Sequence, residues 1–415
     1  MPIDIAQLKP PKQYPSRGLG LRTWLVVCLL CVLLVDGAIL LLWPQGTLAQ
    51  GAWFWLLMAG LPTVVIISLV AWNRLIYENQ HLHALYYNDH RERRRLELVR
   101  DGQRSVTMLG YAYWFPAPMS DGELANTIVQ AASLVKAQPL RDGTTIVRHL
   151  RFPDDINGDS ADARLAAIMT RPSFTREGKL YAQLLAPMID EIEAFIKEGA
   201  PPVLQLVVAE NVRGDCALEQ MRVALDGFHL SALTCQTVSA EDGLMQIDTW
   251  LDSKEPRLLL VVAVSLHDTP PAESAECGVA MLLAPESLRL PKSVKARARI
   301  HRPAARPNRE LGQDIALSML WGKTTPTAVC HTWVTGFADA PQTMISDACR
   351  RSGLEHLTAH ASRFHLDSTI GDTGPAAGWL AIVAAAEFAA GSPQLILNRA
   401  RTAQALVVYA PLPQS

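Results

Sequence analysis

The most specific local feature of the chain is the run Gly371-Asp372-Thr373-Gly374-Pro375-Ala376-Ala377-Gly378, which opens a helix at Trp379. Small residues at a helix start let its backbone press on a neighbouring strand. Asp372 or Thr373 could cap the helix, and a phosphate or carboxylate could sit at its positive end. Close packing is the plainer reading, because helix N-termini are far commoner than anion sites. His81 and His83 lie close after the apolar N-terminal segments, and His360 and His365 flank a loop, so both pairs read as surface residues. Seven cysteines are present: Cys28, Cys31, Cys216, Cys235, Cys277, Cys330 and Cys349. Cys28 and Cys31 form a C-x-x-C, but inside an apolar helix, and the rest are dispersed. Such a set reads as reduced thiols, not as a disulfide framework or a zinc site. No metal and no cofactor is expected.

Candidate residues of this kind need a scaffold. Residues 203–209 and 258–264 are continuous apolar runs, as in strands buried on both faces. With helices at 217–225 and 244–251 and strands at 231–238 and 278–284, the order is β-α-β-α-β-β, which argues for a layered α/β fold. Upstream, strands at 105–115 (ending at Pro116 and Pro118) and 144–152 bracket a helix at 122–137. A helix over 180–197 stops at Gly199 and Pro201-Pro202. The basic, Pro-containing stretch 291–307 reads as a crossing segment or lobe boundary. A helix over 314–321, a strand over 327–334, a helix over 341–352 and an irregular 356–361 follow. A small-residue helix over 374–390 and strands at 395–397 and 405–409 close the chain.

The run at 371–378 resembles the G-H-T-x-G-A-A-G turn and helix of ketoacyl synthases, members of the thiolase-like fold. Residues 273–286 (ESAECGVAMLLAPE) are similar to that family's G-E-G-A-G-V-L-V-L-E hairpin. Residues 328–336 (AVCHTWVTG) fall where an N-A-H-G-T strand end belongs, and 405–410 is placed like the final strand. The resemblance covers roughly residues 200–415 and implies a thiolase-like α/β/α body. A ketoacyl synthase needs a nucleophilic Cys at a helix N-terminus and two His to polarise the thioester. The segment before Leu258 reads GLMQIDTWLDSKEP and holds no Cys, Asp372 replaces the His of the turn, and the preceding Lys is absent from 364–370. Only His331 matches a catalytic His, with Trp333 where Gly and Thr belong. The resemblance thus implies the fold and argues against the activity. Gly322-Lys323-Thr324 is similar to the end of a phosphate-binding loop, but Leu317 holds the first glycine position and a helix precedes it. There is no G-x-S-x-G elbow.

The N-terminal part points to a membrane. Residues 24–43 are almost wholly apolar with one acid, Asp36, and 53–72 repeat the pattern without charge. About twenty such residues span a bilayer core. Trp24, Trp43, Trp53, Trp55 and Trp72 sit at the ends, as interfacial anchors do. Lys9, Lys12, Arg17 and Arg22 precede the hairpin, and Arg74, Arg91, Arg93, Arg94 and Arg95 follow it. The loop over 44–52 carries no charge, so both flanks are expected inside. A signal peptide cleaved near Thr47-Leu48-Ala49 is the alternative; the second helix would still leave the body cytoplasmic. Asp36 could serve helix packing or proton transfer. Residues 73–104 read as a polar juxtamembrane helix, whose arginines either touch anionic headgroups or form a solvated face.

The expected organisation is a leader (1–23), a two-helix transmembrane hairpin (24–72) and the juxtamembrane helix (73–104). A first α/β domain (105–200) and a thiolase-like domain (201–415) follow, with the lobe boundary at 291–307. Hydrophobic residues make up 49% and charged residues 19%, with a formal net charge of −2, so no nucleic-acid partner is indicated. The hairpin, the Tyr111–Pro116 strand and the closing GDTGPAAG resemble a bacterial family of membrane-anchored proteins that includes the adaptors of type VI secretion lipase effectors. That resemblance implies a non-catalytic adaptor at the inner membrane, binding a secreted effector or spike component in the cytoplasm. The alternative is a membrane-bound thiolase-like acyltransferase or acyl-binding enzyme using His331 and Cys330.

Overall fold

The structure, a computed structural model, describes residues 3, 5, 8–16, 20–44, 51–117, 122–141, 143, 145–153, 163–170, 174–210, 212–253, 257–291, 293–307, 309–338, 342–358 and 362–410. Arg17, Thr47-Leu48-Ala49, Pro118 and His360 lie outside the described residues. The chain forms two compact units, one over Asp4–Leu98 and one over Val99–Ser415 joined by Met1–Ile3.

In the first unit, α1 (Leu21–Leu42) and α2 (Ala52–Gly102) are both long and apolar enough to cross a membrane. At 1.5 Å per residue, the 22 residues of α1 reach about 33 Å, the thickness of a hydrocarbon core. Only 0% and 11% of the two apolar windows are buried in protein, so neither is the core helix of a soluble body. Trp43 and Phe54 meet edge to face at 5.0 Å and join the ends of the two helices. Asp36 is half-buried, and its Oδ1 has no hydrogen-bond partner among the described residues. The second apolar segment and the polar stretch after residue 72 form one helix, α2, which continues unbroken for 51 residues. The leader packs on its polar part. The Asn88 side chain pairs with the Lys12 backbone in both directions, at 2.9 and 3.0 Å. Arg91 donates to the Lys9 carbonyl at 2.7 Å, and Tyr14 meets the His81 ring at 5.3 Å.

The second unit begins with β1 (Ser105–Trp114), α3 (Leu124–Val129), β2 (Lys136–Pro139), β3 (Ile146–Leu150), α4 (Ala163–Met169), α5 (Arg176–Leu185) and α6 (Ile189–Lys197). Then come β4 (Val203–Val208), α7 (Gly214–Gly227), β5 (Thr234–Ser239), α8 (Met245–Leu251), β6 (Leu259–Ser265), β7 (Ser274–Ala275) and β8 (Cys277–Pro285). The remainder is β9 (Ala298–His301), α9 (Leu311–Trp321), β10 (His331–Thr335), α10 (Gln342–Arg351), β11 (Arg363–His365), α11 (Leu366–Ile370), α12 (Ala377–Phe388), β12 (Gln394–Arg399) and β13 (Ala403–Tyr409).

Ten strands form one sheet in the order β11-β10-β12-β13-β9-β1-β8-β6-β4-β5. The order is palindromic. Each half has its first strand innermost, then its fifth, fourth, second and third. In each half the second, third and fourth are parallel, and the fifth is antiparallel to its neighbours. The halves join where β1 pairs antiparallel with β9 over Ser105–Met108. Strand alternation sorts the side chains into three cores. Leu259, Val261 and Ala263 enter a central core while Leu260 and Val262 enter an outer one under α5, α6 and α7. In the other half, Leu406 and Val408 join the central core, and Ala405 and Val407 pack outward under α9 and α10. Helix α12 lies in the central core and is apolar all round except for Glu387 at its end, as an enclosed helix tends to be.

Several sequence expectations change. Residues 105–200 are not a separate domain, because β1 is hydrogen-bonded inside the ten-stranded sheet. The stretch 291–307, expected as a crossing segment or lobe boundary, contains β9, the first strand of the second half of the sheet. Helix α3 ends at Val129, where Ala131 takes a left-handed φ of 54° and turns the chain toward β2. Pro187 divides the expected 180–197 helix into α5 and α6 with a 3-10 turn between. Strand β10 begins at His331 rather than 327, because Pro326–Ala328 form a 3-10 turn.

Candidate functional site

The carboxyl ends of the parallel strands open on a cleft of about 640 Å³, the place where α/β sheets bind ligands. Its walls come from both halves: Ala209 and Glu210 after β4, Gly336 after β10, Arg399 at the end of β12, and the starts of α8 and α12. Gly378, near the start of α12, is needed for this closeness, because a Cβ there would stand 3.0 Å from Asn398 and Leu244.

The turn into α8 has a demanding geometry. Gly243 adopts φ 52° and ψ −130°, a region open to glycine and strained for other residues. A Cβ at Gly243 would lie 2.7 Å from Gln404 Oε1 and 2.9 Å from the Ala400 Cβ. Gln404, 1% exposed on β13, is fixed on three sides. Its Oε1 accepts from the Leu244 N–H and from Asn398 Nδ2, each at 2.8 Å, and its Nε2 donates to the Asp242 carbonyl at 2.8 Å. A backbone N–H at a strand-to-helix turn is the type of donor that stabilises an oxyanion. Here the Gln404 amide already occupies it.

Asp372, not Thr373, caps the turn into α12: its Oδ1 accepts the Gly374 N–H at 2.9 Å. The Asp372 backbone bonds Glu273 and Ala275, which pins the turn beside β7. Thr373 is buried, and its Oγ1 has no hydrogen-bond partner among the described residues. The half-buried Asp367 accepts the Thr335 hydroxyl and the Gly336 N–H, both at 2.7 Å, and so shapes the loop after β10. Burial raises its pKa above the usual carboxylate range. Such a group stabilises fully below its unfolded value of about 3.9 and loses that contribution as pH rises through the folded value. Asp248, Glu276, Asp314 and Glu387 are raised in the same direction, each first by burial. Denaturant unfolding at stepped pH is therefore expected to show stability falling from about pH 4 upward. Asp367→Asn should flatten part of that slope; an unchanged slope would contradict the assignment.

His331 does not line this cleft. It is the first residue of β10, and Gly336 follows the last. Five residues at about 3.3 Å each put the two at opposite ends of the strand. The expected match of His331 to a catalytic histidine therefore does not hold geometrically: its ring packs against Phe388 at 4.7 Å and Phe364 at 5.7 Å. Burial lowers its pKa. Cys330 is exposed beside it. Sequence inspection read the strand end one turn too early, because the 3-10 turn before it could not be seen.

A second cleft, about 580 Å³, adjoins the first at Ala209 and Pro375. Behind it Glu276, 0% exposed, accepts the Phe152 N–H at 2.7 Å and the His267 N–H at 3.1 Å and pairs with Arg176. Sequence reading placed Glu276 in a hairpin but missed this network, in which Phe152 lies 124 residues and Arg176 100 residues from Glu276. Ser265 and His267 approach to 3.2 Å, yet among the described residues no carboxylate is hydrogen-bonded to the His267 ring. Among the described residues, no three His, Cys, Asp or Glu are grouped to hold a metal.

No protein-family model matches the sequence, and no curated protein does. Solved structures do. The ketosynthase from module 6 of the bacillaene synthase from Bacillus subtilis 168 superposes with a TM-score of 0.55 at 11% identity, over 74% of this chain and 72% of that one. The PfaC keto synthase-chain length factor gives 0.53 at 12%, over 75% of this chain, which spans only 43% of the other's length. The ishigamide ketosynthase/chain length factor gives 0.51 at 10%, over 74% and 99%. With the palindromic strand order, these likenesses establish that the body has the thiolase-like α/β/α fold of the ketosynthases.

Proposed function

We propose that this chain is a non-catalytic, membrane-anchored adaptor whose thiolase-like body binds a protein partner in the bacterial cytoplasm. The partner is a secreted lipase effector of type VI secretion, held for loading on the spike. The observation that carries the reading is Gly243. At the helix start where a ketoacyl synthase keeps its nucleophile, this chain has no side chain and no room for one. The neighbouring N–H is spent on Gln404. A body so closed to covalent acyl chemistry retains its surfaces for binding. The contact of Lys9, Lys12 and Tyr14 with α2 supports a two-pass topology, since leader and helix must then lie on the same side of a bilayer. The lysines and arginines on those segments favour the inner side of the inner membrane.

Tagged full-length protein, extracted in detergent from its host, should retain an effector encoded beside it or a spike component. Recovery of neither overturns the reading. The 640 Å³ cleft favours one alternative, an acyltransferase or acyl-binding enzyme. Purified protein that consumes an acyl-CoA or carrier thioester would establish that alternative instead, and His331→Ala would leave such turnover intact.

A further inference from the structure

A third cleft, about 450 Å³, lies at the other end of the sheet from the site above. Its floor is the outer face of the three central strands. Arg299 of β9 stands in register with Thr107 of β1 and with Tyr409 of β13. His301 follows two residues on and therefore shares the face. The alternate residues Val106, Ile300 and Val408 point the other way, into the central core. The rim is completed by Gly322 and Lys323, the motif whose likeness to a phosphate-binding loop fails on its preceding elements. In the structure these residues end α9: Lys323 donates to the Leu320 carbonyl and Thr324 to that of Met319. Lys323 takes a left-handed φ of 52°, where glycine is usual. A lysine held there sustains backbone strain that a glycine would not.

The polar groups are of two kinds. At the mouth stand two cations, Arg299 and Lys323, with Glu286 3.7 Å from Arg299. Two cations less one carboxylate leave a single positive charge. At the base lies His301, 4% exposed. Burial first, then Arg299 and Lys323, push its pKa down to about 4, so the imidazole is neutral at pH 7. It bonds the Trp321 backbone through one ring nitrogen, and Nδ1 has no partner. A neutral imidazole with one donor engaged offers a lone pair at the other nitrogen, and an acceptor left unmade at such depth is costly. Tyr409 turns its hydroxyl to the Gly322 carbonyl at 2.9 Å, which fixes the rim against the floor.

We propose that this cleft binds a singly charged phosphodiester bearing a free hydroxyl, as in a glycerophosphoglycerol group. The phosphate oxygens meet Arg299 and Lys323 at the mouth, and the hydroxyl donates to His301 Nδ1 at the base. A volume of about 450 Å³ suits a group of that size. The same chemistry occurs on a phospholipid headgroup and on a soluble phosphodiester.

The test uses full-length protein in detergent micelles. Glycerophosphoglycerol is titrated calorimetrically, and phosphatidylglycerol retention is followed by native mass spectrometry. Lys323→Gly removes one cation while relieving the backbone, so its fold should be retained or improved; Arg299→Gln removes the other. Each is expected to weaken binding at least about tenfold, the loss of one charge-assisted contact. Arg399→Gln, in the other cleft, should leave it unchanged. Variant-sensitive binding of the soluble probe identifies a soluble ligand, and variant-sensitive retention of the lipid alone identifies a headgroup. Binding of neither probe, or binding that both variants leave intact, overturns the proposal.

Discussion

Gly243→Cys is expected to lower the stability of the body by about 3 kcal/mol and to produce no acyl transfer. Two effects add. A residue with a Cβ at φ 52° carries roughly 1–3 kcal/mol of backbone strain. Forcing atoms into a filled site costs a similar amount. The nearest obstacle, Gln404, ends in a flexible amide, but three hydrogen bonds hold that amide in place. The Ala400 Cβ at 2.9 Å cannot rotate away. Urea unfolding of the variant, with thioester consumption measured alongside, checks both parts. A stable variant that acylates would show that only the missing thiol separates this body from an enzyme, and the adaptor reading would fail with it. Gly243→Ala separates strain from chemistry and should be destabilised by a comparable amount.

Arg302→Ala should be at least as damaging, at about 3–5 kcal/mol, the cost of leaving a buried carboxylate without its partner. Arg302 is 1% exposed and donates to Asp248 at 2.6 Å and to Asp252 at 2.7 Å. Asp248 belongs to α8, so this guanidinium ties the central helix to the chain leaving β9, and Arg104 adds a contact to Asp252 at 3.2 Å. Burial raises the Asp248 pKa even with Arg302 beside it. At Asp252 burial works in the same sense, but the hydrogen bond and charge of Arg302 outweigh it and the pKa is lowered. Without the arginine both carboxyls shift upward. The deficit of the variant is then smallest below pH 4 and grows as pH rises through the raised values. Unfolding of wild type and variant at pH 4 and pH 7 reads this difference. Restoring an uncharged pair with Asp248→Leu in the Arg302→Met background should recover most of the loss, because burying an ion pair is seldom better than apolar packing. An equal deficit at both pH values would mean that Arg302 acts through its packing alone.

The two long apolar helices were legible because length, apolar composition and flanking charge are local quantities. The strands at 203–208, 259–265 and 277–285 were legible for the same reason, since burial on both faces leaves an unbroken apolar run. The GDTGPAAG turn announced itself through small residues that only a close approach requires. The absence of cysteine from residues 243–256 could also be read directly.

What the sequence could not reveal is what fills the vacant place. Gln404 lies 160 residues from the Leu244 N–H it occupies, and Arg302 lies 54 from Asp248. A hydrogen bond between such residues leaves no periodicity to detect. The joining of β1 to β9 likewise decided that residues 105–200 belong to the body rather than to a domain of their own. The direction of β10 decided that His331 faces away from the cleft and Gly336 toward it. Composition and spacing thus determined a layered α/β body preceded by two helices long and apolar enough to cross a membrane. Tertiary structure decided that the turn into α8 leaves no room for a side chain at Gly243, because long-range pairing alone brings Gln404, Asn398 and Ala400 there.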